Sequence, residues 1–431
     1  MRAPLATPAA LATLLSMALA TAAQAAEVTE IWSPFPTGAE TVGLRLDLAW
    51  HHLATNLSIG REFVCLAHET VGGASLCPDG SKIAVAKDLD AEVVSDALDL
   101  EFRLALWRTL EARIRLPVVL SETTRIGFDD GVDGKTSLTA PYDADQVFPV
   151  PQRSAARAGL GDPTLALWGT PITPGDDALG PTVALGLELG LPLAAVRTAG
   201  GSEVGSGVFT TTFAVAGSAR ATSWLEPFAR LDLTLALAAS NQLYPDKGDT
   251  QTVSGPPQRA GFKAGVELVP WEAARDHSAV RIALGGAVDL VSAGRAPTAL
   301  FDAIGTSPCS ADPGATDPCT LTTTADGHKA SGTTVEEEHL VLGAWLGVRY
   351  DVFETLSVSL RASAAWTTPH FLTFSDVGVD LDGSGRVESP NSAGHDEVDP
   401  DYVEAWDAPG SRFRVTSELT LGVDLALTAR F

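Results

Sequence analysis

The stretch Phe413-Arg414-Val415-Thr416-Ser417-Glu418-Leu419-Thr420-Leu421-Gly422-Val423-Asp424-Leu425-Ala426-Leu427-Thr428-Ala429-Arg430-Phe431 is apolar at almost every odd position. Its even positions are mostly polar or small. A period of two sends successive side chains to opposite faces of a strand, so Phe413 through Phe431 would have one lipid-like face and one hydrophilic face.

Working outward, the same alternation recurs at Leu98, Leu100, Phe102, Leu104 and Leu106, and again at Leu110, Ala112, Ile114, Leu116 and Val118. Further copies run through residues 183–193, 231–237, 262–268, 280–284, 340–350 and 356–364. A soluble β-sandwich also alternates. Long strands, an export signal and the terminal aromatic Phe431 assign the pattern instead to an all-β, antiparallel, up-and-down transmembrane barrel.

Strands are predicted near 41–66, 93–106, 109–126, 159–170, 180–196, 206–220, 224–240, 259–270, 278–294, 336–351, 354–375 and 411–431, which makes about 12. Every second connection is then short, and the others are long and polar, as periplasmic turns and outer loops alternate in such barrels. Trp107, Trp168, Trp224 and Trp271 lie at or beside the short turns, with Phe353 and Phe431 at the same level. They are expected to form a periplasmic aromatic girdle.

The first strand changes phase near Trp50-His51-His52. A bulge there keeps the count even, and fourteen strands is the alternative.

The even positions of the second and third strands are expected to face lipid, which puts Asp99, Glu101, Arg103, Glu111, Arg113 and Arg115 in the lumen. A hairpin centred on Trp107 would pair Arg103 with Glu111, Glu101 with Arg113 and Asp99 with Arg115, each opposite in sign. The same assignment collects Glu188, Arg230, Asp232, Arg281, Arg349, Glu418 and Asp424. A lumen of mixed sign is either a hydrated channel or an ion-pair zipper bracing a closed barrel.

Residues 1–25 read as a signal peptide: Arg2, an apolar run from Leu11 to Ala20, and Ala23-Gln24-Ala25 before the cleavage point. The apolar run is shorter than the ~20 residues of a spanning helix. Loss of Arg2 lowers the formal charge of −25 by one, which disfavours nucleic acid as a partner. Residues 26–40 form a periplasmic tail or a lumen plug, and residues 41–431 form the barrel. Four cysteines fall in two close pairs, Cys65 with Cys77 and Cys309 with Cys319. In an exported chain they read as two local disulfides in outer loops.

No cofactor is required by this reading. Asp380, Asp382 and Ser384, with a backbone carbonyl at Arg386, match the first half of a calcium loop, but Asn391 stands where the bidentate Glu belongs. Asp129-Asp130-Gly131-Val132-Asp133-Gly134 is a second acidic turn. The eight histidines form no recognisable triad motif, so the chain is not read as an enzyme.

Ala158-Gly159-Leu160-Gly161-Asp162-Pro163-Thr164-Leu165-Ala166-Leu167-Trp168 resembles the Gly-Leu-Gly-Asp strand opening of transporter-like outer-membrane barrels linked to the meta-pathway of phenol degradation. The resemblance implies a barrel that moves small hydrophobic or aromatic compounds. The expected function is a passive outer-membrane channel for small solutes. The alternative is a non-conducting anchor whose acidic, disulfide-braced loops bind at the surface. The resemblance also implies that the C-terminal aromatic is read by the barrel-assembly machinery. Deleting Phe431 should therefore reduce insertion, measured as folded protein in outer-membrane fractions, more than it alters transport by the molecules that do insert.

Overall fold

The computed structural model describes residues 43–65, 82–107, 109–142, 146–172, 181–240, 242–244, 255–273, 278–307, 331–353, 355–377 and 402–431, with short pieces at 70–71, 74–75, 253, 379 and 398–399. Twelve antiparallel strands form a closed barrel. They are β1 (Leu44–Val64), β2 (Ile83–Trp107), β3 (Leu110–Phe128), β4 (Thr164–Ile172), β5 (Pro181–Gly190), β6 (Val208–Ala219), β7 (Leu225–Ala238), β8 (Arg259–Ala273), β9 (Ser278–Val291), β10 (His339–Phe353), β11 (Leu356–Thr367) and β12 (Phe413–Arg430). Each strand pairs with the next, and β12 returns to β1 over Arg45↔Arg430 to Arg61↔Phe413. The seam leaves no open edge, so the backbone polar groups of every strand find partners inside the sheet.

The outward parity is apolar and accessible along the whole circumference, as at Phe102, Leu167, Leu187, Phe213, Leu233, Leu284, Leu346, Leu360 and Leu421. An apolar belt of this extent has no stable place in water, whereas a bilayer supplies its solvent. Trp107, Trp224, Trp271, Phe353 and Phe431 are exposed near the short-turn end. Trp168 is not among them. It is fully buried, because it shares parity with Thr164 and Ala166 and so points into the barrel, while Leu165 and Leu167 point out.

Several boundaries differ from the sequence expectation. β2 begins at Ile83 rather than residue 93, and its added residues pair with the outer half of β1. β5 ends at Gly190 and β11 at Thr367, just before Pro192 and Pro369, which cannot donate to the ladder. The segment expected to be one strand over 159–170 is divided: Arg157–Leu160 and β4 both pair with β3, separated by Gly161-Asp162-Pro163.

There is no bulge at Trp50-His51-His52, since β1 keeps a continuous register there with both neighbours. The apolar odd residues Leu53 and Leu57 face inward instead. Irregularities lie further along, where Thr416 and Asp88 are left unpaired opposite Ser58 to Gly60. In β12 this extra residue reverses the parity. Phe413 and Val415, expected on the lipid face, are fully buried inside the barrel.

Those inward ends meet the outer loops. Leu57, Ile59, Leu89, Ile126, Phe413 and Val415 from the wall pack against Val147, Phe148, Leu300, Ile304, Leu372 and Trp406 from the connections. At the centre is a short helix, α1 (Phe301–Gly305), every residue of which is buried. Arg157 holds it in place, with Nη2 2.6 Å from the Asp302 carboxylate and the guanidinium 5.6 Å from the Phe301 ring centroid. The outer connections thus form an apolar plug in the mouth.

The inside–outside assignment predicts that Leu233→Arg, on the lipid face in mid-strand, lowers the unfolding free energy in lipid by about 2–4 kcal/mol. Thr234→Arg, the next residue and lumen-facing, should cost clearly less in the same titration.

Candidate functional site

Inside the barrel the charged residues sort into a nearly dry set and a partly accessible set. Around the short-turn end, Arg103 Nε lies 2.6 Å from Glu101 Oε1 and 2.9 Å from Asp47 Oδ2, and Arg45 lies 3.1 Å from the same Asp47. Arg113 Nε is 2.5 Å from Glu111 Oε1. These contacts do not use the expected hairpin register. The turn closes later, at Trp107↔Leu110, and Leu106 is an extra residue before Ala105↔Glu111, so the pairing stands two residues from the expected one. Arg103 therefore stands opposite Arg113, and Glu101 opposite Arg115. The carboxylates of Asp47, Glu101 and Glu111 offset the juxtaposed guanidiniums.

Arg230 is 2.7 Å from Asp232 and 3.6 Å from Glu188. Arg281 contacts Glu267 at 3.0 Å and Asp351 at 3.3 Å, and Arg349 contacts Asp351 at 2.8 Å. This group, on β8, β9 and β10, is dry: the Arg281 and Glu267 side chains are 2% and 0% exposed. Burial of that depth removes hydration from both ions, and only close pairing makes it tolerable.

On the adjacent strands β11, β12 and β1 the pairs nearer mid-strand differ. His51 Nδ1 lies 2.7 Å from Asp424, its Nε2 lies 3.3 Å from Asp99, and Arg361 lies 3.4 Å from Asp424. Here the His51 and Arg361 side chains are 30% and 32% exposed, and Arg115 is exposed on the same inward parity. Glu418 stands opposite Leu57 and Thr367, nearer the outer mouth.

Two indoles lie inside. Trp168 is stacked by guanidiniums, with Arg113 4.8 Å and Arg230 5.1 Å from its ring centroid. Trp345 lies 6.4 Å from Phe228, and Arg361 is 5.8 Å from its centroid. Glycines make the space: a Cβ on Gly186 would come within 2.5 Å of Trp168, and one on Gly285 within 2.3 Å of Trp345. Ala184, Ala214 and Ala216 complete the cluster. Among the described residues neither indole N–H has an acceptor. Parity could have found both rings, since Trp345 alternates with Leu342, Leu346 and Val348 and shares the side of Arg349.

The Gly-Leu-Gly-Asp stretch has a local task. Asp162 accepts hydrogen bonds from the Ala194 amide at 2.9 Å and from the Ser206 amide and hydroxyl at 2.7 Å, tying the divided strand to the connection after β5. Gly159 has φ +146°, a conformation that favours glycine.

Asp380, Asp382, Ser384 and Arg386 lie outside the described residues, as do Cys77, Cys309 and Cys319. Cys65 directly follows β1, with its amide bonded to the Lys82 carbonyl. In the other acidic turn, Asp129 accepts from Ser58 and lies 3.7 Å from Lys87, while Asp133 accepts from the Lys135 amide. The two carboxylates thus serve separate partners.

No protein-family model matches the chain, and no curated protein matches it in sequence. Solved structures similar to it include an outer membrane channel from Pseudomonas putida F1, 9% identical with a TM-score of 0.40, covering 91% of this chain and 97% of that one. The TodX monoaromatic hydrocarbon channel, as a deletion mutant, is 8% identical with a TM-score of 0.33 and 90% of each chain covered. The translocator domain of the autotransporter NalP from Neisseria meningitidis is 12% identical with a TM-score of 0.34, covering 98% of this chain and 97% of that one.

Proposed function

We propose that the protein is a channel of the bacterial outer membrane, exported with a cleaved signal peptide and inserted by the barrel-assembly machinery, that passes small solutes passively. The observation that carries this reading is the asymmetry of the lumen. Charges on β8, β9 and β10 are dry, whereas His51, Arg361 and Asp424 on β1, β11 and β12 are partly accessible. A zipper that sealed the barrel throughout would bury both sets. The accessible set supplies a polar stretch of lumen.

Small hydrophobic or aromatic solutes suit the apolar residues gathered at the mouth. The competing reading, a non-conducting anchor, draws on the same plug, because packed connections occupy the mouth. Calcium at Asp380 and Asp382, and disulfides pairing Cys65 with Cys77 and Cys309 with Cys319, would stiffen the outer loops under either reading.

Planar-bilayer recording on the refolded barrel separates the two. A reproducible open level is expected, and a sealed record would favour the anchor. Arg361→Glu in the accessible set should shift ion selectivity toward cations while leaving the fold intact. Arg281→Ala in the dry set should leave selectivity nearly unchanged and cost about 3–5 kcal/mol of stability, because Glu267 loses its buried contact with Arg281 and Asp351 keeps only Arg349.

A further inference from the structure

Above the lipid belt three side chains converge that the channel does not use. Glu336 ends a short strand, Thr334–Glu336, which pairs with Gly294–Ala296 beside the plug. His339 opens β10. His370 lies in a two-residue strand, His370–Phe371, set against β12 through His370↔Val415. The sequence separates the two histidines by the whole β10–β11 hairpin. Because that hairpin returns to the level at which it began, its two outer ends bring them together.

One ligand atom from each of Glu336, His339 and His370 lies within 4.8 Å of the other two. His370 Nε2 is 3.0 Å from Glu336 Oε1, and His339 Nδ1 is 3.9 Å from that same oxygen. Ligand atoms on a tetrahedral ion with bonds of ~2.0–2.1 Å are about 3.3 Å apart, so of the three edges the Glu336–His370 edge already fits, the Glu336–His339 edge must close by about half an ångström, and the edge between the imidazoles must close from within 4.8 Å. The imidazole rings stack with centroids 4.1 Å apart. Both histidines are buried, at 7% and 1% side-chain exposure, with Glu336 at 19%.

Outer contacts hold the ligands. His370 Nδ1 lies 2.8 Å from the Thr368 carbonyl, which orients the ring and leaves Nε2 aimed at Glu336. Support of this kind, from a backbone carbonyl to the second ring nitrogen, is what metal-bound histidines use. His339 Nδ1 is 3.0 Å from the Glu337 carbonyl, a contact that ligation through that nitrogen would replace. Glu337 itself is engaged elsewhere, its carboxylate accepting from the Phe371 amide at 3.0 Å. Glu418, on β12, is within electrostatic reach of all three residues.

We propose that Glu336, His339 and His370 form a binding site for one divalent transition-metal ion at the outer rim of the barrel. Two imidazole nitrogens and one carboxylate oxygen suit zinc and its borderline neighbours, and suit calcium or magnesium poorly. Three protein ligands leave a fourth position for water or a further carboxylate. The ion would tie the connection before β10 to the connection after β11, and so fasten the plug to the wall.

The test uses the tag-free mature barrel in detergent, stripped with chelator and titrated with Zn²⁺ by calorimetry and with Co²⁺ by visible absorption. One saturable site per chain is expected, with ligand-field bands for Co²⁺ and a raised unfolding temperature in Zn²⁺. His339→Gln and His370→Gln should each weaken binding at least tenfold, whereas Glu337→Gln should bind as the parent does. Heat-modifiable gel mobility shows which variants are folded, and Glu336→Gln stands in for any that is not. Absence of a saturable site in the parent, or affinity unchanged in the folded ligand variants, overturns the proposal.

Discussion

The constraint on which the rest depends is closure. A strand in lipid cannot leave an amide or carbonyl unpaired, so β12 must meet β1, and the sheet acquires an inside. Alternation then admits only two destinations for each side chain. Leucines go to lipid. Arginines and carboxylates, which lipid rejects, go inward, where they face one another across a space too narrow to hydrate all of them. The ion pairs, the guanidinium-stacked indoles and the glycines that make room for them all follow from that confinement.

Extra residues in the strands decide where this rule changes. Each adds a side chain to one strand without adding one to its partner, so the residues beyond it exchange faces. At Thr416 the exchange moves Phe413 and Val415 from the lipid side to the inside, where an apolar surface would be out of place in a wet lumen. The outer connections cover it. The plug and the irregular register are therefore one feature of the chain.

Much of this was legible in the sequence. The strand count, the alternation of short and long connections and the inward parity of the charges follow from a period of two and from the position of turns. Register was not legible, because a hairpin centred on Trp107 and one displaced from it by two residues give the same faces and differ only in who stands opposite whom. Trp168 lies beside a turn, as the girdle residues do, yet its parity turns it inward. Apolar Leu57 imitates a change of phase, since nothing local says that a distant α1 will pack over the mouth. The convergence of His339 and His370 is invisible to any short motif, as it is made by the length of a hairpin.

The ion pairs along single strands carry a consequence for assembly. Arg45 with Asp47, Glu101 with Arg103, Glu111 with Arg113, Arg230 with Asp232 and Arg349 with Asp351 are each two residues apart on one strand. A strand that carries both members of its pair has little net charge on its inner face before its neighbour arrives. Hairpins can then be added to a growing sheet in sequence, without any intermediate exposing a row of like charges to the membrane. Pairing across neighbouring strands, as at Arg281 on β9 with Glu267 on β8 and Asp351 on β10, is completed as each of those strands joins the sheet.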